Sequence, residues 1–189
     1  MEKIKNIIQE NINIKQEILN NDNLLEAIFS AAELITQTLE NGNKVMLCGN
    51  GGSAADAQHI ATEFSGKFLK QRRALPALCL NTNVSSLTAL ANDFGYEKVF
   101  LRQVQAFGQC GDVLIGLSTS ATSQNVIEAF KYASSVDIKT ISFTGMDAKE
   151  LGEYSDIIIN VPSEMTPRIQ ESHIMIGHIL CELVENNLF

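Results

Sequence analysis

Along the first forty residues the apolar positions recur with a helical step. Ile4, Ile7, Ile8, Ile14 and Ile18 are spaced by threes, fours or their sums, and the polar run Asn20-Asn21-Asp22-Asn23 ends the pattern. Leu25, Ile28, Phe29, Ala32, Ile35 and Leu39 resume it in a second helix, which Asn41-Gly42 stops. The first helix has a narrow apolar face that could pack on its own core or on a second subunit. From Lys44 the rhythm changes to short apolar runs, and 44–48, 77–80, 113–117, 139–143 and 157–161 read as buried strands. Helical stretches at 53–70, 83–107 (interrupted near Asp93-Phe94-Gly95), 123–135 and 166–187 separate or follow them. Strands alternating with helices imply right-handed crossovers and a parallel sheet covered on both faces, an α/β three-layer sandwich. With no repeat and no Pro/Gly-rich linker, 1–189 reads as one domain: a helical extension over 1–42 and an α/β core over 43–189.

Composition narrows the class. The 189 residues carry 14 Lys+Arg against 22 Asp+Glu, a formal charge of −8, which disfavours nucleic acid as a partner because phosphate binding needs a basic face. A membrane span needs about 20 consecutive apolar residues, and the apolar runs here, such as Ile157–Ile159, are far shorter. The start Met1-Glu2-Lys3-Ile4-Lys5-Asn6 lacks the apolar stretch of a secretory signal, so a cytoplasmic protein without membrane contact is expected. Cys48, Cys79, Cys110 and Cys181 are scattered with no C-x-x-C pair, which suits buried small hydrophobes better than a disulfide framework or a thiolate zinc site.

In a parallel sheet, ligands bind where loops leave the carboxyl ends of the strands. Two such loops stand out. The run from Ser118 to Ser123 holds five hydroxyl residues in six positions directly before a helix, where unpaired N–H groups and the helix dipole favour an anion. One Ser or Thr would suffice for a plain cap, so the loop is read as a phosphate site that needs no Lys or Arg. The other loop, Gly49-Asn50-Gly51-Gly52-Ser53, allows positive φ and close backbone approach but matches neither nucleotide-binding glycine motif.

In the helix after the glycine loop, His59 and Glu63 stand four residues apart on one face, a spacing that suits a divalent metal, a base with its partner, or an ordinary surface pair. The last helix, opened by Thr166-Pro167 as N-cap and first-turn proline, adds Gln170, Glu171, His173 and His178. His178 lies among Ile174, Met175, Ile179 and Leu180, which in isolation reads as a core histidine.

Taken together, Gly49-Asn50-Gly51-Gly52-Ser53, His59-x-x-x-Glu63, Asn92-Asp93, Ser118-Thr119-Ser120-x-x-Ser123 and Arg168-Ile169-Gln170-Glu171-x-His173…His178 resemble the bacterial phosphoheptose isomerases of the sugar-isomerase (SIS) domain superfamily, in this order and over nearly the whole chain. The resemblance implies a flavodoxin-like SIS fold and conversion of sedoheptulose 7-phosphate to D-glycero-D-manno-heptose 7-phosphate, the entry to nucleotide-activated heptoses for lipopolysaccharide core, capsule or surface glycan. It also implies a homotetramer with one zinc ion per subunit. Carried over by position, Asn50, Gly51, Gly52 and Ser53 would hold sugar hydroxyls, and Ser118, Thr119, Ser120 and Ser123 the phosphate. Asn92 and Asp93 would contact the substrate, as would Glu63 and Gln170. Glu63 and His178 would be the acid/base pair, and His59, Glu63, Gln170 and His178 the zinc ligands. Such a reaction moves a proton between C1 and C2 through an enediol, so it needs a base near the sugar carbons and an acid for the oxygens.

Gln170 and His178 are eight residues apart on one helix, a rise of about 12 Å, whereas zinc bonds are about 2.0–2.3 Å long. Either two subunits share the site or one of the pair is not a ligand, and a site at a subunit interface is the expectation. Three positions depart from the family pattern. Ala121 stands where the serine loop usually has Gly, and would be strained if that position needs positive φ. Pro167 replaces an Asp of some members, and Lys67 replaces a frequent Arg. Two alternatives share the fold: a non-catalytic scaffold resembling the DnaA initiator-associating protein, and an SIS isomerase for another sugar phosphate. The presence of both Glu63 and His178 favours the heptose isomerase.

Overall fold

The structure, a computed structural model, describes all residues 1–189. Its elements follow the sequence rhythm: α1 (Glu2–Leu19), α2 (Asp22–Glu40), β1 (Val45–Gly49), α3 (Gly52–Ser65), β2 (Ala77–Cys79), α4 (Val84–Phe94), a 3-10 turn Tyr96–Lys98, α5 (Val99–Phe107), β3 (Val113–Leu117), α6 (Gln124–Ser135), β4 (Lys139–Thr144), α7 (Lys149–Gly152), β5 (Ile157–Asn160) and α8 (Thr166–Leu188). The five strands form one parallel sheet in the order β2-β1-β3-β4-β5.

Strand pleating assigns alternate residues to two separate cores. Val45 and Leu47 join Val113, Ile115 and Leu117 in a core shared with α2, α3 and α8. Met46, Cys48 and Leu114 face the other way, into a core with α5 and α6. These are the continuous apolar runs expected of strands buried on both sides. Asp112 anchors the register of β1 against β3: its carboxylate accepts from the Lys44 backbone N–H (3.0 Å), Lys44 Nζ (2.6 Å) and the Gln109 N–H (2.8 Å). Burial alone would raise its pKa, but these donors outweigh burial and hold it below the usual carboxylate range. No helix is long and apolar enough to cross a membrane.

Two local differences from the sequence pattern have physical causes. The helix expected over 53–70 ends at Ser65. Continuing it would need the N–H groups of Phe68, Leu69 and Lys70, but these donate instead to the Glu185 carboxylate on α8. Arg72 caps the carbonyls that this leaves open, donating to Glu63 O (2.8 Å), Phe64 O (3.0 Å) and Gly66 O (3.2 Å). The short α7 has no periodic signature, because only Leu151 of its four residues is buried. Among the cysteines, Cys48, Cys79 and Cys181 are buried and Cys110 is exposed; burial pushes the Cys181 thiol up to about 12, so it behaves as packing.

The first helix lies on its own chain through a polar seam with α8. Arg168 Nη1 donates to Ile7 O (3.1 Å), Asn11 bonds Glu171, and Lys15 Nζ reaches Ser172 Oγ (3.4 Å). Its isoleucines Ile4, Ile8 and Ile12 nevertheless stay more than half exposed, as does Phe29 of α2.

Candidate functional site

Chain direction across the sheet reverses between β1 and β3: the crossover through α3 packs on one face and that through α6 on the other. The carboxyl ends of these two neighbours form the switch-point crevice where ligands of such sheets bind. The glycine loop leaves β1 there and the serine loop leaves β3. A cavity of about 300 Å³ is lined by Asn50, Gly51, Gly52, Ser53, Leu117, Ser118, Thr119, Ser123, Thr166 and Gln170. The N-terminal ends of α3, α6 and α8 all contribute to its wall, so backbone N–H groups and three helix dipoles supply the positive potential that the chain's net charge lacks.

Local backbone chemistry shapes this cavity. Gly51 has φ +57°, and a Cβ at Gly52 would lie 2.5 Å from Gln170 Nε2, so a larger residue there would displace the Gln170 amide from the cavity wall. Ser118 Oγ and Ser123 Oγ meet at 2.9 Å across the serine loop. Ala121, fully buried in the same loop, has φ +56°, so the position does need the left-handed conformation and the alanine bears its strain. Asn50 is less free than its motif suggests. Its amide exchanges two 2.9 Å hydrogen bonds with Asn125 and accepts a third, also 2.9 Å, from Tyr96 Oη. These bonds brace the loop, and one hydrogen of the Asn50 amide remains uncommitted at the cavity wall. Neither Asn125 nor Tyr96 carried a motif in the sequence, and each is positioned only by the fold.

The remaining sequence candidates lie elsewhere. Ser120 lines a neighbouring cavity of about 350 Å³ that shares Thr119 and Thr166 with the first. Asn92 and Asp93 are exposed near the end of α4, where the Asn92 amide bonds the Asp93 carboxylate (2.8 Å), and they line neither cavity. Thr166 proves to be the first residue of α8, with Met165 as its N-cap and Pro167 in the first turn.

A second cluster forms farther along the α3–α8 contact. The two helices run parallel, with Gly52 against Gln170 and Ile60 against Gly177. That register brings His59 Nε2 to 3.1 Å from Glu63 Oε1 and 3.3 Å from His178 Nε2. Nitrogen and oxygen atoms of all three residues lie within 4.8 Å of one another. His178 is thus half-buried beside His59 and Glu63, and the core histidine of α8 is His173. His173 is fully buried, its Nε2–H donates to Thr144 O (3.0 Å), and burial depresses its pKa to about 4. The Phe68 ring lies 5.5 Å from the His178 ring, a contact that no sequence spacing indicated. Gln170 stands about 12 Å along α8 from His178 and lines the switch-point cavity, so the cluster within one chain consists of His59, Glu63 and His178. Two imidazoles and a carboxylate converging at this spacing fit the donor set of a zinc ion with an open position.

Residues 9–145 match the family model described as SIS domain. The chain is 53% identical over 182 residues to the phosphoheptose isomerase of Clostridium acetobutylicum, covering 96% of this chain and 93% of that protein. It is 47% identical over 186 residues to the phosphoheptose isomerase of Helicobacter pylori, covering 97% of each. The solved structure of phosphoheptose isomerase GmhA from Neisseria gonorrhoeae superposes with a TM-score of 0.92 at 44% identity, covering 98% of both chains. With the switch-point cavity and the histidine–glutamate cluster both in place on this fold, the chain belongs to the SIS domain family and, within it, to the phosphoheptose isomerases.

Proposed function

We propose that this protein converts sedoheptulose 7-phosphate to D-glycero-D-manno-heptose 7-phosphate in the cytoplasm, supplying heptose for a surface glycan such as lipopolysaccharide core or capsule. The observation that carries the reading is the juxtaposition of Glu63 and His178 through His59 in a chain so similar to named phosphoheptose isomerases. A non-catalytic scaffold would have no use for that acid/base pair.

The phosphate sits in the switch-point cavity, held by the Ser118, Thr119 and Ser123 hydroxyls and by N–H groups at the start of α6. Ser120 closes its outer side. Gly51, Gly52 and Ser53 present backbone to the sugar hydroxyls, Gln170 adds its amide, and Asn92 and Asp93 contact the substrate from α4. Glu63 moves the proton between C1 and C2, and His178 serves the oxygens during ring opening and enediol formation. One zinc ion per subunit fits His59, Glu63 and His178, and when bound it supplies Lewis-acid polarisation of the sugar carbonyl.

The active unit is a homotetramer with sites completed between subunits, Gln170 reaching the cluster of a neighbouring copy. Two features support this. Along α3 the rise from Gly52 to Glu63 is about 16 Å, longer than an extended seven-carbon sugar phosphate. The exposed isoleucines of α1 also leave an apolar face for a second copy.

The test is a coupled assay on sedoheptulose 7-phosphate with and without a chelator. Turnover that falls on chelation and returns with zinc supports the reading. Absence of turnover by the freshly purified, zinc-loaded protein overturns it.

A further inference from the structure

The segment 66–76 between α3 and β2 has no regular structure, yet a buried ion pair fastens it. Glu185 accepts from the N–H groups of Phe68 (3.2 Å), Leu69 (2.7 Å) and Lys70 (2.7 Å) and from Arg72 Nε (2.7 Å). Both side chains are almost wholly inaccessible, at 1% for Arg72 and 2% for Glu185. Removing two charges from water is costly, and apolar residues of similar size often stabilise a fold as well or better. What a fully bonded buried pair adds is a defined geometry.

That geometry ends on the histidine–glutamate cluster at two points. Arg72 Nη2 donates to the backbone carbonyl of Glu63 (2.8 Å), fixing the last turn of α3 that carries the carboxylate. The strap also sets Phe68 beside the His178 ring, with centroids 5.5 Å apart and planes tilted by 36°. His178 is otherwise met edge-on by the His59 ring at 5.0 Å, and the cluster opens to a cavity of about 390 Å³ beside Ala55, Gln58 and Thr62. An imidazole on such an open helix face has other rotamers available. The Phe68 ring stands against one side of it.

We propose that Arg72 and Glu185 are positioning residues for the His59–Glu63–His178 cluster, acting through the strap that seats Phe68 against His178. This rests on reading the cluster as the reactive and zinc-holding group, and it assigns a role to three residues outside that reading. The pair does not touch substrate; it sets the direction of the His178 ring and the position of the Glu63 backbone.

The experiment compares full-length wild type with Phe68→Ala, Phe68→Tyr, Arg72→Lys and Glu185→Gln. Zinc affinity is read by competition with a chromophoric chelator, and kcat and KM on sedoheptulose 7-phosphate. The His178 ring signals are read by NMR in the metal-free protein. Phe68→Ala is expected to lower zinc affinity and kcat by about 10-fold, the low end for loss of an outer-shell partner, while KM stays near wild type. Its His178 ring protons lose the ring-current shift, and Phe68→Tyr restores all three readouts. Arg72→Lys and Glu185→Gln shift them in the same direction. If either fails to fold, the Phe68 variants, which leave the ion pair intact, still decide. Wild-type zinc affinity, kcat and His178 signals in Phe68→Ala overturn the proposal, as does a loss confined to thermal stability in the ion-pair variants. A wild type that neither isomerises nor binds zinc would instead defeat the reading of the cluster, and the His178 ring signals would then decide the positioning role alone.

Discussion

His59 Nε2 and His178 Nε2 lie 3.3 Å apart although 119 positions separate them in the chain. His59 Nε2 also faces Glu63 Oε1 at 3.1 Å, so three atoms with lone pairs converge where at most one proton can be shared at a time. Parallel packing of α3 on α8 creates the contact, and Gly177 leaves room for the Ile60 side chain between the helices.

Glu63→Gln keeps the size of the side chain but removes its basicity. Turnover is expected to fall at least about 100-fold, the usual scale for a lost general base, with the circular dichroism spectrum unchanged. His178→Gln should lose activity on the same scale. Steady-state rates on sedoheptulose 7-phosphate check both, and wild-type turnover in Glu63→Gln would remove it from the proton-transfer role.

His59→Asn removes one of three convergent donors. Zinc affinity measured by dye competition should drop by at least about 10-fold, since even partners outside the ligand set commonly matter that much. Gln170→Ala, altering the phosphate-side cavity of its own chain, should raise KM. Mixing it with His178→Gln subunits should restore part of the activity if the site is shared between copies.

Ile8 is 54% exposed in the middle of the isoleucine stripe on α1. Ile8→Glu places a charge on that face without touching either cavity. Light scattering should show a smaller assembly than wild type, and activity should fall with it. A full-sized, fully active Ile8→Glu protein would place the subunit contacts elsewhere.

His173 links stability to pH. In the unfolded chain it protonates near 6.5, whereas burial lowers its folded pKa to about 4. Its contribution is present above pH 6.5 and is lost as pH falls toward 4, because unfolding then takes up a proton. The full effect is about 3 kcal/mol. Denaturant midpoints of wild type and His173→Gln should converge as pH drops through this window, and parallel pH profiles would show that His173 is not responsible.

Ala121 carries φ +56° while its methyl is buried against the α6-side core. Ala121→Gly relieves about 1–2 kcal/mol of left-handed strain, but it forfeits about 0.8 kcal/mol of methyl burial and up to about 1 kcal/mol of backbone entropy. These nearly cancel, so thermal unfolding should shift by only a few degrees. Ala121→Val, β-branched at the same φ, should destabilise clearly, and a stable Val variant would mean the loop relaxes out of this conformation.

Local chemistry determined most of the architecture. Short apolar runs, the 3.6-residue period, Asn41-Gly42, the break at Gly95 and the serine run before α6 act within a few residues, so strands, helices and the serine loop were legible in the chain itself. The motifs Gly49–Ser53 and Ser118–Ser123 announced one cavity because both follow strands. What tertiary structure alone decided are relations between distant residues. His178 and His173 sit on the same helix in similar apolar company, and only the contact with α3 makes one a member of the His59–Glu63–His178 cluster and the other a core residue. The end of α3 at Ser65 depends on Glu185, more than a hundred positions away, competing for the N–H groups that a longer helix would use. Asn50 belongs to a loop motif, but that Asn125 and Tyr96 brace its amide is visible only in the fold. Periodicity and capping are short-range properties of the chain, whereas which polar group satisfies which is settled only when packing brings the partners together.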